Sequence, residues 1–294
     1  MRIVDAHLHV WNTDRFDYAW LADVPTLDRT MTFGDLAAER APGAAHVDGF
    51  VVVQADCRPD QAMAEVDWVT TMAGEGPVLG IVAFAPLEDG DAVSEHLDDL
   101  GERPLVVGVR RPLSSEPVGF SATDAFRAGA RAVAAHSFAF DARVTEAQLG
   151  DVIALADAVP ELAIVLDHAG QPARPTDAPG AWSRSIAELA LRPNVVCKVS
   201  SLPALTGSGA WTLDALRPSL DTVLDAFGPD RLLFGSDWPA SSGRTSLDRW
   251  LDTIAEWSGA FSADEREALF AGTAERVYGL GPGRTEHDAV PPVS

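Results

Sequence analysis

The chain has 294 residues, 47% of them hydrophobic, and its 44 acidic against 22 basic side chains leave a net charge of −22. That balance excludes nucleic acid as a partner, because a phosphate backbone needs clustered cations. Charges or prolines interrupt every apolar run before the ~20 residues a membrane span takes.

Short runs rich in Val, Ile, Leu and Phe recur along the chain: Ile3–His7, Gly49–Gln54, Val78–Phe84, Val106–Val109, Ser137–Phe140, Ala163–Asp167, Val195–Val199 and Leu232–Gly235. Most are continuous rather than alternating, the pattern of parallel strands covered on both faces. Between them lie helical patterns, one through Leu149, Val152, Ile153, Ala156 and Val159, another through Leu216, Leu220, Val223, Leu224 and Phe227. Thr145 with Gln148 and Ser262 with Glu265 have capping-box spacing. Eight strand–helix units predict an α/β fold, a single-domain (β/α)8 TIM barrel over residues 1–280, with a loose proline-bearing tail over 281–294. An open doubly wound sheet is the alternative, but no glycine-rich fingerprint follows the first strand. An aromatic insertion, Trp11 to Thr30, follows that strand at the end where barrel enzymes build their sites. Two cysteines, Cys57 and Cys197, make no disulfide framework, and the N-terminus lacks signal-peptide character, so a cytoplasmic location is the default expectation.

The chemistry-bearing residues cluster at predicted strand ends. His7 and His9, at i and i+2, share one face of the first strand. They suit one metal ion between them, or equally two polar residues at a strand end. His168 follows the sixth strand, where a catalytic and a structural histidine are about equally expected. Asp237 closes the eighth strand and is a metal ligand, a general base or a helix-cap partner. Twenty-one of the 22 basic residues are Arg, so Lys198, inside the seventh strand pattern, is conspicuous. It would bind a substrate carboxylate or carbonyl, or else snorkel to a rim. Gln54, Arg110 and Asp141 sit at the ends of the second, fourth and fifth strands, and Trp11, Trp20 and Trp238 are candidate pocket walls. No Gly-x-Ser-x-Gly elbow is present.

The stretches Val4-Asp5-Ala6-His7-Leu8-His9-Val10-Trp11, Gly108-Val109-Arg110, Leu166-Asp167-His168-Ala169-Gly170, Cys197-Lys198-Val199-Ser200 and Phe234-Gly235-Ser236-Asp237-Trp238-Pro239 resemble, in order, the amidohydrolase-2 family of metal-dependent TIM-barrel hydrolases. The resemblance is closest to the branch of L-fuconolactonase-like and L-rhamnonolactonase-like sugar lactonases. It implies a divalent metal, zinc first, held by His7, His9 and Asp237 with His168. Metal-independent action is the alternative, because the family's histidine on the fifth strand is missing: His136 lies at the wrong end of that strand.

The expected reaction is opening of a small lactone by water attack at the carbonyl. Asp237 serves as general base, His168 and Lys198 assist, and His7, His9, His168 or a metal stabilise the oxyanion. Trp11, Gln54, Arg110, Asp141 and Trp238 would contact the substrate. The rivals are a non-oxidative decarboxylase of an aromatic or unsaturated acid, which keeps the fifth-strand histidine, and a non-catalytic ligand-binding barrel. The charge itself describes a solvated shell and no function.

Overall fold

A computed structural model of the protein describes residues 1–174, 180–207 and 210–281; the expected tail from 282 onward lies outside them. Eight strands form one parallel sheet in sequence order: β1 (Val4–Leu8), β2 (Gly49–Val53), β3 (Val78–Phe84), β4 (Val106–Arg110), β5 (Ala139–Ala142), β6 (Ile164–Leu166), β7 (Val195–Val199) and β8 (Leu232–Phe234). Past the end of β8 the chain returns to β1: Asp237 N donates to the His7 carbonyl at 2.7 Å, and His9 N donates to the Trp238 carbonyl at 2.7 Å. Asp5 ties the same seam from the side chain, its Oδ1 accepting from Ser236 N at 2.8 Å and His7 N at 3.1 Å. This is the expected single-domain (β/α)8 TIM barrel.

Each strand is followed by a helix: α1 (Phe33–Glu39), α2 (Ala62–Thr71), α3 (Val93–Gly101), α4 (Asp124–Ala135), α5 (Leu149–Ala158), α6 (Ala181–Leu189), α7 (Leu213–Phe227) and α8 (Leu247–Trp257). The two helical patterns read from sequence are α5 and α7, and both capping boxes form, Thr145 with Gln148 and Ser262 with Glu265. Apolar side chains divide between two layers. One joins strands to helices. The other fills the barrel interior with Val4, Ala6, Val51, Val53, Val82, Val107, Val165, Val196 and Leu233. After α9 (Ala263–Glu267), α10 (Thr273–Tyr278), the last helix among the described residues, closes the barrel floor with Ala274, Val277 and Tyr278.

Two strand boundaries move for a local reason. The fifth strand starts at Ala139 rather than Ser137, because Ser137 is still in a left-handed turn at φ 57 after α4. The sixth ends at Leu166 because His168 and Ala169 both take φ 54. A pairing irregularity between Asp5 and Leu8 decides what β1 presents. Val4 and Ala6 pack in the barrel interior, and His7 and His9 also face inward. Strict alternation forbids that set, and a bulge supplies the change of parity.

Candidate active site

His9 fixes the chemistry of the rim. Its Nδ1 lies 2.7 Å from the Val53 carbonyl, which only accepts, so Nδ1 carries the proton and, in the neutral ring, Nε2 presents a bare lone pair. That lone pair sits 3.2 Å from His7 Nε2 and 3.4 Å from Asp237 Oδ1, and His7 Nε2 is 3.7 Å from the same oxygen. Ligand atoms tetrahedrally disposed ~2.0–2.1 Å from a zinc ion stand about 3.3–3.4 Å apart. The triangle formed by His7, His9 and Asp237 therefore has the spacing and donor set of a divalent-metal site. His168 belongs to the same cluster, with a ligating nitrogen within 4.8 Å of those of His7 and Asp237.

Asp237 is held from its far side. Ser201 Oγ and Ser241 Oγ both donate to Oδ2, at 2.5 and 2.7 Å, which turns Oδ1 toward the histidines. Its backbone takes φ 58, the left-handed turn with which the chain leaves β8. Burial alone would raise the Asp237 pKa, but His168, His9 and His7 outweigh it, and the carboxyl stays far below its ordinary range. Burial lowers His168 to about 4 against the pull of Asp237 and Asp167, so its imidazole is neutral at pH 7. The His168 Nδ1 pairs with Ser200 Oγ at 2.8 Å.

These groups open on a cavity of about 290 Å³. His9, His168 and Asp237 line it together with Arg110 and Arg143, and Trp20 and Leu205 supply apolar wall. Arg110 is anchored by donating to the Gln54 carbonyl at 2.6 Å. Trp20, from the aromatic insertion, donates from Nε1 to the Ala55 carbonyl at 2.8 Å.

The structure separates the sequence-nominated residues into two groups. His7, His9, His168, Asp237 and Arg110 come together as expected. Lys198 corrects the expectation of position: it is wholly buried below His7, not at the rim, and does not line the cavity. Its Nζ donates to Asp141 Oδ2 at 2.5 Å and to His7 Nδ1 at 3.0 Å, and lies 3.1 Å from Asp167 Oδ1. The reason is reach: on β7 Lys198 has the inward parity of Val196, and its stem ends among carboxylates before it meets solvent. Asp141 goes with it, buried and capped by the Tyr278 hydroxyl, which donates to Oδ1 at 2.7 Å from the floor helix. Burial pushes Asp141 up, whereas for Asp167 the nearby Lys198 and His7 overcome burial and hold it well down.

Trp11, Gln54 and Trp238 are likewise buried supports that do not line the cavity. Trp11 Nε1 donates to the Arg29 carbonyl at 2.7 Å, Trp238 Nε1 donates to Glu39 at 2.7 Å, and Gln54 accepts from Asp56 N at 2.5 Å. The Nδ1–H of His9 is spent on Val53, which leaves its Nε2 as the atom facing His7 and Asp237. Sequence reasoning passed over Asp167, Arg143, Ser201, Ser241 and Tyr278. Strand parity offers a signal for the first two, which continue the inward rows of Val165 and Asp141; Tyr278 carries none.

Behind the cavity wall, Glu65 of α2 is buried and accepts from Tyr18 of the insertion at 2.9 Å. Burial raises its pKa from 4.5 to about 7, against the Tyr18 hydrogen bond. Below pH 4.5 folded and unfolded chains both hold this proton; between 4.5 and 7 only the folded chain does, so stability falls as pH rises. Glu65→Gln removes that loss. We expect the variant to match wild type near pH 4 and to exceed it by on the order of 3 kcal/mol at pH 8 in urea unfolding. An unchanged difference across that range would contradict the assignment.

The amidohydrolase family profile matches residues 4–280. L-fucono-1,5-lactonase of Burkholderia multivorans is 32% identical, the match covering 94% of this chain and 96% of that protein. L-fucono-1,5-lactonase of Burkholderia ambifaria is 31% identical over 97% and 98% of the two chains. A crystal structure of a zinc-bound amidohydrolase from Burkholderia multivorans superposes with a TM-score of 0.80 at 30% identity, covering 96% of this chain and all of that one. With the His-x-His strand, the aspartate after β8 and a barrel-mouth cavity between them, the chain belongs to the amidohydrolase family and is one of its hydrolases.

Proposed function

We propose that the protein opens the ring of a small lactone, a sugar lactone or a carboxylated relative, by attack of water at the carbonyl carbon. The observation that carries this reading is the Asp237 carboxylate, fixed by two serines with one oxygen turned into the cavity beside two histidines. The two fuconolactonase relatives support it. Asp237 is ionised throughout the physiological range and accepts the proton of the attacking water at Oδ1. Because its conjugate acid is strong, it gives the proton up readily to the ring oxygen when the carbon–oxygen bond breaks, and a hydroxy acid leaves. A divalent ion held by His7, His9 and Asp237, zinc the best match, would lower the pKa of water there and polarise the carbonyl. Arg110 and Arg143 offer donors to the developing oxyanion and to substrate oxygens.

The test is acid release from a panel of aldonolactones and carboxylated lactones, with zinc and with chelator. Carbon dioxide release without lactone opening would favour the decarboxylase, although β5 carries no histidine at its C-terminal end. Specificity should follow the arginines. Among the described residues Arg143 has no ion-pair partner, and burial beside Arg110 depresses its pKa, so it gains most from an anionic oxygen. For Arg143→Met we expect KM to rise about 10–100-fold for a carboxylated lactone and little for a neutral one. An equal rise for both would assign Arg143 to the reacting carbonyl instead.

A further inference from the structure

Two cages of metal-ligating groups share His7, one through each ring nitrogen. The upper one is His7 Nε2, His9 Nε2 and Asp237 Oδ1. The lower one is His7, Asp141 and Asp167, with ligating atoms within 4.8 Å of one another, and its centre already holds the ammonium of the chain's single lysine. The chain thus supplies its own cation to the lower cage.

That arrangement constrains the proton on His7. An ammonium only donates, so His7 Nδ1, 3.0 Å from Lys198 Nζ, must accept. A neutral imidazole that accepts at Nδ1 carries its proton on Nε2. The Nε2–H then has an acceptor ready at 3.2 Å, the His9 lone pair that Val53 fixes from the other side. In this tautomer every ring nitrogen of the pair is satisfied, and His7 has no lone pair for a metal. Metal ligation through Nε2 needs the other tautomer, with the proton on Nδ1 and an acceptor for it. Asp167 Oδ1 stands 3.2 Å from Nδ1, and among the described residues neither oxygen of Asp167 has an aligned hydrogen bond. The acceptor for the second tautomer is therefore built and waiting. Lys198 and Asp167 compete for one nitrogen, and only one of them can hold it at a time.

We propose that Lys198 is a positioning residue that holds His7 in the Nε2–H tautomer, weakening the His7–His9–Asp237 site for a divalent metal, and that metal binding moves the His7 proton to Nδ1, where Asp167 accepts it. The ring stays neutral throughout: the proton lost at Nε2 is the one gained at Nδ1. This rests on the metal reading of the upper cage and not on the identity of the substrate, so it stands or falls without any lactone.

The decisive measurement is long-range ¹H–¹⁵N NMR of the histidine side chains in the metal-free protein and after zinc addition, with His7 assigned by its loss in His7→Gln. The expected result is an Nε2–H tautomer for His7 without metal and an Nδ1–H tautomer with zinc. A proton on Nδ1 in the metal-free wild type overturns the proposal. The companion variant is Lys198→Met/Asp141→Asn, which removes one positive and one negative charge and so leaves the net charge of the lower cage unchanged. It should show the Nδ1–H tautomer without metal and bind zinc at least tenfold tighter in chelator competition. Equal or weaker zinc binding by the folded double variant would refute the competition. If that variant does not fold, the wild-type tautomer decides the question by itself.

Discussion

Asp237→Asn is expected to lower kcat on the protein's lactone substrate by about 10²–10⁴-fold, the range a positioned general base contributes, with KM changed far less. The size follows from the geometry. Asp237 lines the cavity and its Oδ1 is the oxygen turned toward the histidine pair, and an amide cannot take a proton from water there. The fold should survive. The Asn side chain still offers one acceptor to Ser201 and Ser241, and these two hydroxyls, 3.2 Å apart, can pair with each other. The control is an unchanged thermal midpoint beside the lost turnover. A variant that keeps near wild-type rates would remove Asp237 from the chemistry and assign the base to another group.

Lys198→Met should cost stability rather than substrate affinity. The methionine fills much of the stem's volume but strands Asp141 and Asp167, both fully buried, without their cation. Removing one partner from a buried ion cluster costs about 3–5 kcal/mol, read as a shift in the urea midpoint at constant slope. Lys198→Met/Asp141→Asn should recover part of that loss, because only one carboxylate then remains and Arg110 lies 3.6 Å from it. If Lys198→Met were as stable as wild type but bound substrate poorly, the lysine would belong to the substrate site after all. The Tyr278 hydroxyl enters the same balance from α10, so the barrel floor and the histidine rim share one buried polar network.

The sequence by itself determined the barrel, because eight near-continuous apolar runs separated by helical periods have few other ways to bury both faces of a parallel sheet. It also nominated the rim set of His7, His9, His168, Asp237 and Arg110, polar residues at the ends of apolar strands, although only the bulge in β1 turns its two histidines inward. What only the tertiary structure decided is depth and direction. Lys198 and Asp237 both follow inward rows, yet one ends in a sealed ion cluster and the other in the cavity. The difference lies in neighbours far apart in the chain: Asp141, Asp167 and Tyr278 around the lysine, Ser201 and Ser241 behind the aspartate. Trp11 and Trp238 look like pocket walls in one dimension, but their indole N–H groups are drawn to Arg29 and Glu39, away from the cavity. The proton on His7 is the extreme case. It depends on an ammonium 191 positions away and a carbonyl that orients His9, and a linear pattern carries neither distance.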